Sequence, residues 1–152
     1  MSKALTILVT GLALIASACV PVAAQVLPEV IVRQGDTIQW VVGQGSPPHK
    51  VRFGANGATS VAEINTILTN ITPPLTPAGD GPQKPSGILL TAKVKDDAEP
   101  GKTFIFTCGV HPPQMLSLPF TVAAKVAGQP PRTHKIIGEA GLHWHVHVDT
   151  TP

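Results

Sequence analysis

Apolar residues on every second position, in runs too short for anything but strands, constrain this chain most. Val30 and Val32, then Ile38, Trp40 and Val42, form two such runs around Gln34-Gly35-Asp36, the pattern of two half-buried strands joined by a turn. Gly43 to Pro48 ends the regular structure, and His49-Lys50-Val51-Arg52-Phe53 reads as a short strand that begins at a histidine. Ile88, Leu90, Ala92 and Val94 alternate again. After the turn residues Ala98-Glu99-Pro100-Gly101, the segment from Thr103 to Cys108 puts Phe104, Phe106 and Cys108 on one face. A last strand runs from Phe120 to Ala124, and the aromatic residues Trp40, Phe104, Phe106 and Phe120 are expected in the core.

Only one helix is expected, over Ser60 to Leu68, with Ser60 as N-cap and Glu63 completing a capping box. Between Thr72 and Gly87 the chain carries Pro73, Pro74, Pro77, Pro82 and Pro85, so it reads as a stiffened, irregular surface loop. Loops of that length in compact domains tend to be functional or mobile. Short strands, Gly/Pro turns and one weak helix indicate an all-β protein, an antiparallel β-sandwich or barrel.

The amino terminus reads as a targeting device. Lys3 precedes an apolar run from Ala4 to Ala18, too short for an ordinary membrane span, and small residues follow it. Val22-Ala23-Ala24 fits cleavage after Ala24, which makes residues 1–24 a signal peptide and places the protein in the periplasm or outside the cell. Ala16-Ser17-Ala18-Cys19 supports the competing reading, a lipid anchor on Cys19, and with it the only membrane contact expected. Residues 25–152 suit one domain. A formal charge of +2 without a Lys/Arg cluster gives no electrostatic case for nucleic acid.

Two cysteines are present, and cleavage after Ala24 removes Cys19. Cys108 then has no intrachain disulfide partner in a compartment that oxidises thiol pairs. A lone thiol of this kind is an inert core residue, a nucleophile or a metal ligand. Its neighbours favour the third. Cys108-Gly109-Val110-His111-Pro112-Pro113-Gln114-Met115 sets a thiolate, an imidazole and a thioether on one loop. Soft sulfur with imidazole suits copper, and two histidines with a cysteine and a weak axial methionine are the ligands of a blue-copper centre. The second histidine has to come from elsewhere, and His49, after Pro47-Pro48 at the start of a strand, is the candidate.

Three stretches together resemble the cupredoxin family, especially plastocyanin, pseudoazurin and amicyanin. Val30-Ile31-Val32-Arg33-Gln34-Gly35-Asp36-Thr37-Ile38-Gln39-Trp40 resembles the opening strand pair, Pro48-His49-Lys50-Val51 the first ligand, and Phe106-Thr107-Cys108-Gly109-Val110-His111 with Met115 the ligand loop. The resemblance implies a Greek-key sandwich over residues 25–125 and one type 1 copper, cycling between Cu+ and Cu2+, on His49, Cys108, His111 and Met115. It implies a carrier of single electrons rather than an enzyme, with no catalytic residues. A transient redox partner would dock near His111, Pro112, Pro113 and Leu116. Two positions depart from the family pattern. Lys50 stands where asparagine is common and ties the ligand loops together. The spacing from His111 to Met115, with its two prolines, matches no single subfamily.

Residues 126–152 read as a histidine-rich extension. His143, His145 and His147 alternate with Trp144, Val146 and Val148, so a strand there gathers three imidazoles on one face, with His134 as a further donor for a second metal site. The other reading of the segment is an added edge strand. This tail motivates the alternative function, copper delivery or storage through the same four ligands plus the histidine cluster. A third reading makes the tail histidines an open catalytic copper centre.

Overall fold

The computed structural model describes residues 29–110, 116–138 and 144–149, with residues 145–149 described by their backbone. The expectations for residues 1–24, including Cys19, lie outside the described residues. In chain order the elements are β1 (Val30–Arg33), β2 (Thr37–Val42), β3 (Val51–Arg52), α1 (Val61–Ile67), β4 (Leu68–Thr72), β5 (Gly87–Val94), β6 (Thr103–Phe104), β7 (Thr107–Cys108), β8 (Phe120–Ala123), β9 (Thr133–Gly138) and β10 (Trp144–Asp149).

The protein is mostly β-sheet with one short helix, arranged as an all-β sandwich. One sheet has the order β1-β8-β6, a second has β10-β9-β2-β5-β4, and β3 and β7 form a separate pair. The described strands form open sheets and no closed barrel. Two pairings depart from the antiparallel expectation: β1 runs parallel to β8, and β2 runs parallel to β9. Alternation along a strand specifies which face is buried but not the direction of the neighbour, so these pairings were not legible in the pattern.

The runs around Gln34-Gly35-Asp36 are strands, as expected, but they do not pair with each other. The turn carries the chain from the first sheet to the second, and the inward residues of both close the core: Val32 from β1, Ile38, Trp40 and Val42 from β2. Phe104 stacks on Phe120 at 5.0 Å within the first sheet, while Phe106 stands edge-on to Trp40 of the second at 5.6 Å. Each such fully buried side chain contributes about 1.5–3 kcal/mol of transfer free energy.

Asp36 pins this crossover. Its carboxylate is buried and accepts hydrogen bonds from the Arg33 amide (2.9 Å), the Arg132 amide (2.8 Å) and His134 Nε2 (2.7 Å). Burial alone would push the carboxyl group up, but those bonds outweigh it and hold it below the usual carboxylate range. Burial also pushes the His134 imidazole down, and Asp36 offsets this only in part. The pair is therefore a neutral imidazole donating to a carboxylate. It ties the β1–β2 turn to the start of β9, 98 residues away in sequence.

Local chemistry explains the remaining elements. Ser60 caps α1, accepting from the Glu63 amide while the Glu63 side chain returns to the Ser60 amide, so the capping box forms as its spacing predicts. In β5 a register shift opposite Trp40 and Val41 changes the parity of the strand. Leu89 is consequently buried next to Leu90, and Ile88, expected inside, is 47% exposed. The segment from Thr103 to Cys108 is two short strands rather than one: β6 pairs with β8, and β7 pairs with β3. Phe104, Phe106 and Cys108 are nevertheless all buried. The segment after Ala124 is not set apart from the sheet, since β9 lies inside it between β2 and β10, with His134, Ile136 and Gly138 turned inward.

Candidate metal centre

His49 and Cys108 are brought together by backbone pairing on both sides of one short segment. On one side Val51 lies opposite Cys108 and Arg52 opposite Thr107, and the Gly109 amide donates to the Lys50 carbonyl at 2.8 Å. On the other side the proline-rich loop serves as a third strand. The Phe53 amide donates to the Gly79 carbonyl (3.0 Å), the Gly81 amide to the Val51 carbonyl (2.8 Å), and His49 and Lys84 exchange both of their backbone bonds. Gly79 makes this close approach possible: its φ is +84°, and a Cβ there would collide with the Phe53 carbonyl. The loop from residue 73 to 86 thus fixes the histidine that precedes β3.

The two side chains meet in the interior. Cys108 Sγ lies 3.7 Å from His49 Nδ1, and both residues are only 1% exposed. A sulfur and a nitrogen bound to one first-row ion, at about 2.3 and about 2.0–2.1 Å and about 110–120° apart, are separated by about 3.5–3.8 Å. The observed spacing therefore fits two ligands of one ion, and the donors are the soft pair that copper prefers. The surroundings are aromatic: Trp144 lies 5.2 Å from the His49 ring and 5.2 Å from Phe106, centroid to centroid. A dry aromatic shell limits solvent access and supports the fixed ligand geometry that a redox centre requires.

A polar cluster braces the other face of this junction. Asp80 binds Arg52 through both carboxylate oxygens (2.5 and 2.9 Å) and Lys50 Nζ at 3.4 Å. The Arg52 hydrogen bond, reinforced by the charge of Lys50, holds the Asp80 carboxyl below its ordinary range. Gly109 packs into this cluster, where a Cβ would approach Lys50 Cε to 2.5 Å and Arg52 Nε to 3.2 Å. Lys50 takes part in two ties at once. Its carbonyl holds the Cys108 loop through Gly109, and its ammonium group holds the proline-rich loop through Asp80.

The remaining expected residues divide as follows. His111, Pro112, Pro113 and Met115 lie outside the described residues, as does His143. The residues that flank the Cys108 loop are both exposed and apolar, Val110 at 41% and Leu116 at 44%. His145 and His147 are in β10, opposite Ile137 and Lys135 of β9, at the edge of the five-stranded sheet. His134, considered above as a tail ligand, is engaged by Asp36. Among the described residues no three His, Cys, Asp or Glu side chains converge on one point.

An open recess of about 540 Å³ lies between α1, β4 and the proline-rich loop, lined by Val61, Asn65, Leu68 and Lys95 among others. Neither His49 nor Cys108 lines it, and a buried metal centre of side-chain donors has no need of such a recess. Sequence reasoning missed Gly138 and Trp144 as neighbours of the site. The alternation His134, Ile136, Gly138 is the signal that would have placed that segment in the sheet. No helix among the described residues is long and apolar enough to cross a membrane. Comparison of the chain with known protein families, with characterised proteins and with solved structures gives no match.

Proposed function

We propose that this is an exported copper protein that carries single electrons, with one type 1 copper held by His49, Cys108, His111 and Met115 in a cupredoxin-like Greek-key fold. The observation that carries the reading is the buried Cys108 Sγ at 3.7 Å from His49 Nδ1, a separation that fits two ligands of one ion. When bound, copper supplies a one-electron couple. The chain's own residues supply the rest. The β3–β7 pairing, the Lys50–Gly109 hydrogen bond and the proline-rich loop keep the two donors in place, so little reorganisation accompanies a change of charge. The aromatic residues around them keep water out. Val110 and Leu116 give the ends of the ligand loop an apolar, exposed character, which suits brief contact with a redox partner near His111, Pro112, Pro113 and Leu116.

Absorption and paramagnetic-resonance spectra of the copper-loaded protein provide the test. An intense visible copper–thiolate band, absent in Cys108→Ser, is the expected outcome. An intact protein without such a band, or with one unchanged by the substitution, rules the reading out. Rapid surrender of copper to an apo acceptor, without a reversible one-electron couple, would mark delivery instead.

A further inference from the structure

The described edge of the five-stranded sheet reaches the candidate centre at one point, where β9 ends and β10 begins. Gly138 and Trp144 lie opposite each other in the β9–β10 ladder, and both touch the His49 ring. The indole is tilted at 57° to the imidazole, with centroids 5.2 Å apart. A Cβ on Gly138 would stand 3.0 Å from His49 Cδ2, 3.1 Å from His49 Cγ and 3.1 Å from Trp144 Cζ3. The absent side chain at 138 is therefore the space that the two rings occupy. Gly138 does not have the positive φ that makes other glycines of this chain obligatory, so its role is one of volume rather than backbone conformation.

His49 is held by its backbone to Lys84, and the setting of its ring about the side-chain torsions is decided by what the ring touches. The observed orientation, with Nδ1 toward Cys108, needs a wall against the ring. Gly138 and Trp144 provide it, and Phe106 backs the indole at 5.2 Å. We infer that Trp144 and Gly138 are positioning residues for the copper ligand His49, so that the tail strand pair sets the affinity of the centre. The inference rests on the proposed copper site. Groups that orient a metal-binding histidine alter metal affinity by about 10- to 100-fold when they are removed.

The test compares the Cu+ affinity of the full chain, measured by competition with a chromogenic chelator, for Trp144→Phe, Trp144→Leu and Gly138→Ala, with a thermal melt of each metal-free protein. Both are smaller than tryptophan and apolar, but leucine loses the ring face whereas phenylalanine keeps it. The expected result is about a tenfold loss of affinity in Trp144→Leu and in Gly138→Ala, with affinity close to the parent in Trp144→Phe. Nuclear Overhauser contacts between the His49 ring and Cys108 in the metal-free protein should weaken in Trp144→Leu and persist in Trp144→Phe. Affinity unchanged in Trp144→Leu, or lost equally in the leucine and phenylalanine variants, overturns the inference while leaving the copper site standing. If Trp144→Leu does not fold, Gly138→Ala decides, because it adds a single methyl group against the ring. Failure of the parent protein to bind Cu+ removes the copper reading and this inference together, and Cys108→Ser, which should bind none, separates that outcome from loss of positioning alone.

Discussion

Two of the described histidines are buried in this sandwich, and they sit in opposite chemical company. His134 meets a carboxylate that also gathers two backbone amides, so its place in the fold is explained by hydrogen bonding across the sheet crossover. His49 meets a thiol sulfur at 3.7 Å, with the Trp144 indole against its ring. A hard, charged acceptor with four donors, the Arg132 guanidinium among them, is a structural clamp. A soft, polarisable pair at this spacing suits metal binding, as proposed above. Burial alone therefore does not distinguish these two histidines; the hardness of the partner does.

The comparison breaks most directly at the thiol. Cys108→Ser is expected to abolish the visible copper band while shifting the denaturation midpoint of the metal-free protein only slightly, since one sulfur is replaced by a smaller oxygen. Spectra and melts of the same sample check both halves. At the other end Asp36→Ala should destabilise the protein by about 3–5 kcal/mol, because it leaves His134 and the Arg33 and Arg132 amides buried without their acceptor. Denaturant titration measures that loss, and copper binding by the folded fraction should be unchanged.

The acid response sharpens the contrast further. The folded-state pKa of His134 lies below its ordinary value of 6.5, so the unfolded chain binds the proton first. The stability this provides is complete above about pH 6.5 and is lost as the pH falls below that value. The metal-free protein should therefore melt at progressively lower temperature from pH 7 to pH 5, and His134→Gln should flatten the slope. Asp36, also depressed, adds a second loss below its ordinary value of 3.8. The smallest effect is expected far from both histidines: Ser60→Ala removes the N-cap of α1 and should cost about 1 kcal/mol, with copper spectra and pH slope both intact.

Much of this was legible from residue types. Alternation located β1, β2 and β8, and Ser60 with Glu63 located the helix start, because those signals are local. The inward placement of Phe104, Phe106 and Cys108 was also read correctly, even though the strand breaks between them. What escaped depended on neighbours distant in sequence. The shift in β5 arises from pairing with β2, so Ile88 could not be known to face outward. The interior position of β9 depends on Asp36 reaching His134, and the contact of Trp144 with His49 depends on β9 in turn. At the site, the chemical kind of Cys108 and His49 could be read from the sequence, while the proline-rich loop gave no sign that it would complete a three-stranded brace around them.

Because β9 runs beside β2, the central sheet cannot be completed until Thr133–Gly138 has emerged, long after β2 has been synthesised. Parallel pairing over such a separation forms late, since a large loop must close before any contact rewards it. The nascent chain would meanwhile leave Cys108 open to oxidants and to stray metal ions. The thiol is enclosed only when the last strands arrive, so the chain folds around it in one piece.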